Sequence, residues 1–339
     1  MPGSLTPGGH FSERFHDLEA VKIELIERGR LTPGADLVPL DGGVSCLVGL
    51  SDNNGSPFVV KAARTRLAVE DEWLADPSRS LRESAILSLL DGHLGPMRVP
   101  RVLFTEPELN LIGLEAILPI RSTWKEDLLE GVVEPTIGQQ VGLAMAALHL
   151  LEPTPILANE AGTALFRGLR VEPYYIQVAK VLPELAHEME KLSSEAMRPV
   201  HPTLVQGDVT PKNVIPIGPA SVMLDFEVIH LGEPAFDPSM LFAHFVLKAI
   251  YRLNRSRARA IADLIDITWQ AYQSGGGPAE ERLVTRHMGG IILARLWGKS
   301  RVMYLQDAEE RLVAESVGRS LLGGRSVLSD VPALIQELM

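Results

Sequence analysis

The 339-residue chain is predicted to be a two-lobed α+β protein, with a small lobe of antiparallel strands followed by a larger, mostly helical one. Three observations carry that expectation. Short strand-like runs separated by Gly and Asn turns crowd residues 35–118. Helical periodicity dominates the remainder. One stretch interrupts it, LVQGDVTPKNVIPIGPASVMLDFEVIHLGEPAFD from Leu204 to Asp237, where brief apolar runs alternate with acidic loops. With 46% hydrophobic residues, the chain can bury a sizeable core.

Residues 1–16 are rich in Gly, Pro and Ser and are expected to be mobile. A helix starting at Ser12 or Asp17 runs to Arg28, with Val21, Ile23, Leu25 and Ile26 as apolar positions and Gly29 near its end. Leu37–Leu40 and Cys46–Leu50 read as strands around Asp41-Gly42-Gly43-Val44-Ser45. A glycine-rich turn between strands lets backbone N–H groups approach phosphates, so Gly42, Gly43 and Ser45 are candidate binding positions. The same pair also suits an ordinary hairpin. Asp52-Asn53-Asn54-Gly55 is a turn, and Pro57–Lys61 is a strand ending on a lysine. The helix Ser78–Leu90 buries Leu81, Ile86, Leu87, Leu89 and Leu90 and carries Glu83.

In the second lobe, Pro135–Leu151 has the stripe of a buried helix at Val141, Leu143, Ala144, Ala147 and Leu148, which makes His149 a core histidine. Residues 170–196 read as one more helix. Thr203-Leu204-Val205 is a strand entering a polar loop with Gly207, Asp208, Lys212 and Asn213. Pro216–Pro219 make a turn, and the apolar run Ser221–Leu224 ends on Asp225, with Glu227 two positions on. A hairpin-like excursion would bring Asp208, Asn213, Asp225 and Glu227 to one spot. Three carboxylates and an amide there repel unless a cation joins them, and oxygen-only ligands suit Mg²⁺. The plainer alternative is two solvated acidic turns. Helices Pro238–Leu253 and Ser256–Gln273 follow, then a Gly-rich linker and a helical hairpin over residues 279–322.

The pattern GD-x-x-x-x-N, followed after a strand by D-x-[DE], resembles the catalytic and metal loops of protein-kinase-like small-molecule phosphotransferases, the group of aminoglycoside, choline and methylthioribose kinases. The resemblance spans residues 35–325 and implies a protein-kinase-like bilobal fold, with residues 17–118 as N-lobe and 119–339 as C-lobe. It implies Asp208 as catalytic base, with Asn213, Asp225 and Glu227 holding Mg²⁺. Lys61 would reach the ATP phosphates, held by Glu83, with Glu70 and Glu72 as competing partners. Leu114–Leu118 would be the hinge, where backbone groups of Glu115 and Ile117 meet adenine. One departure is Gln206, where the group usually has His. The run VVKAARTRLAVEDEWLADPSRSLRESAIL, the segment VPRVLFTEPELNLIGLEAI and Trp124-Lys125 are most similar to methylthioribose kinases. Those enzymes also carry an arginine pair before a glycine in a C-terminal helix; here Ala294 replaces the first and Arg295 matches the second. Arg295 is therefore a candidate catalytic residue at the acceptor site. The alternative is an arginine packing its stem on the core and pairing with a carboxylate.

The implied cofactors are ATP and Mg²⁺, and the implied partner is a small-molecule hydroxyl acceptor. Methylthioribose or a related sugar is the first acceptor class, an aminoglycoside or amino alcohol the second. A nucleotide-binding pseudokinase is the non-enzymatic rival. Net charge of -11 argues against nucleic acid and gives no polybasic membrane contact. A lone Cys46 excludes an intramolecular disulfide and suits a reducing cytoplasm. The N-terminus lacks a signal-peptide pattern, no apolar run is long enough for a span, and nothing excludes a homodimer. Gly298-Lys299-Ser300 ends like a P-loop, but Leu293 stands where that motif needs glycine.

Overall fold

The computed structural model describes residue 15 and residues 17–40, 46–65, 76–119 and 122–338. Glycines 42 and 43, Ser45, Glu70 and Glu72 therefore lie outside the described residues, as does nearly all of the N-terminal segment. The chain divides into two units, Met1–Ser84 with Val102–Ala116, and Ala85–Arg101 with Ile117–Met339.

The first unit opens with α1 (Leu18–Glu27). Asp17 caps it, its Oδ1 accepting the Ala20 N–H at 2.9 Å, which settles the start in favour of the later position. Five strands follow, β1 (Val38–Pro39), β2 (Cys46–Ser51), β3 (Phe58–Ala63), β4 (Val102–Glu106) and β5 (Leu111–Glu115), with α2 (Arg79–Leu90) between β3 and β4. They form one antiparallel sheet in the order β1-β2-β3-β5-β4. Along β3, Phe58, Val60 and Ala62 are buried in a core with Val21, Leu25, Leu47 and Leu111. The period of two places Lys61 on the other face. Lys61 does not end the strand as the sequence suggested; it pairs with Val48 and Ile112 in mid-ladder, and Ala62 and Ala63 continue it. Gly113 makes room for Phe104, whose ring a Cβ would meet at 2.2 Å.

In the second unit, α3 (Trp124–Glu130) and α4 (Pro135–Leu150) precede α5 (Glu160–Phe166), which runs into a π-helical segment, Arg167–Ile176. Then come α6 (Gln177–Val181) and α7 (Ala186–Met197). The single helix expected over 170–196 is thus broken. Pro173 sits inside the widened turn, and Pro183 starts a short 3₁₀ turn between α6 and α7. The site hairpin comprises β6 (Thr203–Val205), β7 (Val214–Ile215), β8 (Val222–Met223) and β9 (His230–Gly232). Strand β6 pairs with β9, and β7 with β8, both antiparallel.

Helix α8 (Phe236–Ile250) is buried along its whole length, starts two residues before the expected position, and gives way to a 3₁₀ turn at Tyr251–Leu253. Packed around it in the remaining fold are α9 (Arg255–Ser274), α10 (Glu281–Trp297), α11 (Ala308–Leu322) and a final α12 (Val331–Leu338) that lies beyond the hairpin read from the sequence. Helix α4 lies close on α9, where a Cβ at Gly142 would meet the Thr268 carbonyl oxygen at 2.4 Å. No helix among the described residues is long and apolar enough to cross a membrane.

Candidate active site

The loop after β6 turns on Gly207, at φ +80, where a Cβ would also press on Val228 at 3.0 Å. A fully buried carboxylate in the first turn of α8 holds this loop. Asp237 accepts the Gln206 N–H through Oδ2 and the Gly207 N–H through Oδ1, each at 2.8 Å. His149 supports Asp237. The Asp237 carboxylate can only accept, so His149 Nε2–H donates to its Oδ2 at 3.2 Å. The other ring nitrogen, Nδ1, lies 2.9 Å from the Tyr272 hydroxyl, which also accepts the Ala279 N–H. The core histidine expected from helical spacing is therefore a buried hydrogen-bonded one.

Gln206 joins the two acidic loops. Its Oε1 accepts the Asp208 N–H at 2.6 Å, while its Nε2 donates to the carbonyls of Asp225 at 2.7 Å and Leu224 at 3.1 Å. Both ends of one side-chain amide are used. On the neighbouring hairpin, the Leu224 N–H donates to the Asn213 carbonyl at 2.8 Å, which sets Asn213 beside the approach to Asp225. Asp225 has φ 67, a left-handed conformation that Asp tolerates better than most residues.

Asp208, 3% exposed, is used unevenly. Its Oδ2 accepts from Asn213 Nδ2 at 2.8 Å and forms ion pairs with Arg170 Nη2 at 3.0 Å and Lys212 Nζ at 3.1 Å. Its Oδ1 has no partner among the described residues. Arg170 is fixed from behind: its Nε donates to the Gly207 carbonyl at 2.9 Å and its Nη1 to that of Leu169 at 2.8 Å. Burial works against the Arg170 charge, but Asp208, Tyr174, Asp225 and Glu227 outweigh it and raise its pKa. The Lys212 side chain is 44% exposed, so desolvation weighs little on its charge, and Asp208 and Asp225 raise its pKa.

The sequence expects Asp208, Asn213, Asp225 and Glu227 at one spot around a cation, and Asp208, Asp225 and Glu227 all act on the Arg170 charge. Among the described residues no three His, Cys, Asp or Glu side chains gather closely enough to hold a metal ion by themselves. Repulsion between Asp208 and its neighbours is relieved by two protein cations, Arg170 and Lys212. Arg170 and Asp237 were not found by reading the sequence. Their only signal is placement, an arginine within an apolar stretch and an aspartate entering an apolar helix.

In the first unit, Lys61 Nζ lies 2.9 Å and 2.7 Å from the two carboxylate oxygens of Glu83, itself 1% exposed. The partner proposed from helix spacing is the one that the strand lysine meets. Glu115 closes β5 opposite Phe58, and Ile117 follows the strand. Arg295, in the last turn of α10, donates through Nη1 to Ser300 Oγ at 2.7 Å and Tyr174 Oη at 3.2 Å. It has no carboxylate partner among the described residues, so the ion pair that a purely structural arginine was expected to make is not formed.

A small antiparallel sheet with a lysine–glutamate pair, and a helical unit with an Asp-bearing loop and an acidic hairpin, define the protein-kinase-like bilobal class of small-molecule phosphotransferases. A profile of the phosphotransferase enzyme family matches residues 36–282, and the chain belongs to that family. No curated protein matches it. Among solved structures, the chain is similar to a macrolide 2'-phosphotransferase from Brachybacterium faecium at 18% identity, covering 88% of this chain and 97% of that one, with TM-score 0.54. A choline/ethanolamine kinase family protein from Mesorhizobium loti shares 17% identity over 94% of this chain and 99% of its own, also at 0.54. An amicoumacin kinase in complex with AMP-PNP and Ca²⁺ shares 13% over 93% and 95%, at 0.53. These likenesses are of fold.

Proposed function

We propose that the enzyme transfers the γ-phosphoryl group of ATP to a hydroxyl of a small molecule, with Asp208 as the base. The observation that carries this reading is the asymmetry of the Asp208 carboxylate. One hydrogen bond and two ion pairs hold Oδ2, and Oδ1 is left to accept a proton from an incoming hydroxyl. In phosphoryl transfer the protein contributes mainly position and charge. Lys61, kept in place by Glu83, binds the α- and β-phosphates, and the backbone of Glu115 and Ile117 takes adenine. Gly42, Gly43 and Ser45 cover the phosphates.

The donor set of Asn213, Asp225 and Glu227 is all oxygen and fits a hard divalent ion such as Mg²⁺. Asn213 already commits its amide nitrogen to Asp208, which leaves its carbonyl oxygen as the ligand atom. When bound with nucleotide, the ion would neutralise phosphate charge. Arg295 stands at the acceptor side. The intact set of Lys61, Asp208, Asn213 and Asp225 favours an active enzyme over a nucleotide sensor.

A sugar such as methylthioribose is the acceptor suggested by the N-terminal sequence, and Ala294 in place of the first arginine weighs against methylthioribose itself. The wider group, aminoglycosides and amino alcohols included, is the second reading, supported by the range of structural relatives. The test is an ATP-consumption screen against sugars, aminoglycosides and amino alcohols. Consumption with none of them, in protein that binds ATP with Mg²⁺, would remove both of these acceptor readings.

A further inference from the structure

Lys248 is the anomaly of the second unit. It lies in the middle of α8 and is 0% exposed. Its ammonium makes a single hydrogen bond, to the His244 carbonyl one turn back at 3.4 Å, and sits 5.3 Å from the centre of the Tyr304 ring. No carboxylate pairs with it among the described residues. A buried lysine without a counter-ion is expensive, so a protein that keeps one has a use for it or an occupant for its surroundings.

Those surroundings are cationic. Arg295 is near, and it too lacks a carboxylate; its Nε is buried without a hydrogen-bond partner, as is the Tyr304 hydroxyl. The charges that act on His244 are Lys248, Arg295, Lys212 and Lys125, in that order, from α8, α10, the Asp208 loop and α3. Burial first, then these cations, drive the His244 imidazole far below its usual range and keep it neutral. Trp124 packs edge-on to Phe245 with ring centres 5.1 Å apart, which seats the start of α3 on α8. The acids nearby are already paired: Glu126 with Lys125 at 3.2 Å, and Asp208 with Arg170 and Lys212. Helices α3 and α10 both pack on α8 here, and Lys248 and Arg295 have no anionic partner among the described residues.

We propose that the acceptor carries an anionic group, a phosphate or a carboxylate, which Arg295 contacts while Lys248 stabilises it from beneath. The proposal rests on the phosphotransferase reading of Asp208. A polycation such as an aminoglycoside would be repelled from this ground, and a neutral sugar would leave Lys248 and Arg295 unanswered. Binding of an anion has a proton signature. Burial, then Lys125 and Arg295, push the Lys248 ammonium down to about 7, against a small opposing effect of Glu126. An anion beside it raises that value, so at pH 8 binding draws a proton onto Lys248.

The experiment titrates inorganic phosphate into the full chain at constant ionic strength, with and without AMP-PNP and Mg²⁺, reading melting temperature and, by calorimetry in two buffers at pH 8, proton uptake. Phosphate is expected to raise the melting temperature and draw up to one proton. In Lys248→Met the proton uptake disappears, and in Lys248→Met and Arg295→Gln the phosphate Kd rises about tenfold or more. The AMP-PNP response persists in both. An unchanged phosphate response in the two variants overturns the proposal, as does stabilisation of the wild type by kanamycin but not by phosphate. Loss of the AMP-PNP response alone would instead strike the nucleotide reading and leave the anion site standing.

Discussion

Two buried ion pairs, one in each unit, use their carboxylates in opposite ways. Glu83 gives both oxygens to the one ammonium of Lys61, at 2.9 and 2.7 Å. Asp208 takes one hydrogen bond and two ion pairs on Oδ2 and leaves Oδ1 without a partner among the described residues. The first arrangement balances charge and goes no further; it makes an anchor. The second balances charge at one atom and keeps the other for chemistry. A carboxylate held at one oxygen by a hydrogen bond and two ion pairs is restrained, which directs its open oxygen.

Breaking the asymmetric member should have the largest effect. Asp208→Asn keeps the shape and removes the basic oxygen, so turnover should fall by roughly 10²–10⁴, with the nucleotide-induced thermal shift retained. Near-native turnover would move the base elsewhere. Arg170→Met probes what fixes Asp208. Removing one partner of a buried pair costs about 3–5 kcal/mol, and here Lys212 and Asn213 remain to soften the loss, so about 3 kcal/mol is expected from urea unfolding with an unchanged m-value. A loss within experimental error would mean that Arg170 contributes little to the loop.

On the anchor side, Glu83→Gln retains a hydrogen bond to Lys61 and loses the charge. ATP KM should rise about tenfold, worth about 1.4 kcal/mol, while kcat changes less. If kcat falls and KM does not, the pair acts on the transition state and the contrast with Asp208 weakens.

The sequence revealed the anchor through the resemblance, which calls for a strand lysine held by a carboxylate of the next helix; taken alone, Lys61 reads as an exposed strand lysine and Glu83 as a solvated helix charge. It also placed Asp208, Asn213 and Asp225 at the ends of short strands. Sequence periodicity could not show what surrounds Asp208, since Arg170 arrives from a π-helical turn and Asp237 from the start of α8. A register set by i+4 bonding does not predict a widened turn, and the composition of 170–196, rich in Leu, Ala and Glu, outweighed Pro173 and Pro183, the two residues that speak against one unbroken helix. The counter-charge of Arg170 was missed for the same reason: it is distant in sequence from Asp208, whereas Lys212 lies in the same loop.

Gln206 tests the link between loop and hairpin. Read from the sequence, it was a departure that weakened the match; in the fold, one amide spans Asp208, Leu224 and Asp225. Gln206→Ala removes three hydrogen bonds but leaves the backbone clamp of Asp237 in place. Turnover should fall about tenfold, roughly the net worth of one buried hydrogen bond, with ATP KM unaffected. A parallel rise in ATP KM would show that the hairpin, and not the base, depends on it.

The smallest effect should come from Lys212, and it sharpens the comparison most. Lys212 and Arg170 pair with the same oxygen at 3.1 and 3.0 Å, so distance alone ranks them equal. Their settings differ: the Arg170 side chain is 9% exposed, the Lys212 side chain 44%. A half-exposed pair spaced i,i+4 is screened by water and salt and contributes about 0–1 kcal/mol, whereas a buried one cannot be replaced by solvent. Lys212→Met should therefore cost less than about 1 kcal/mol in unfolding, lower turnover by less than about tenfold, and lose most of its effect in high salt. The Arg170→Met penalty should be insensitive to salt. Equal penalties for the two variants, both independent of salt, would show that geometry at Oδ2 outranks burial in fixing the base.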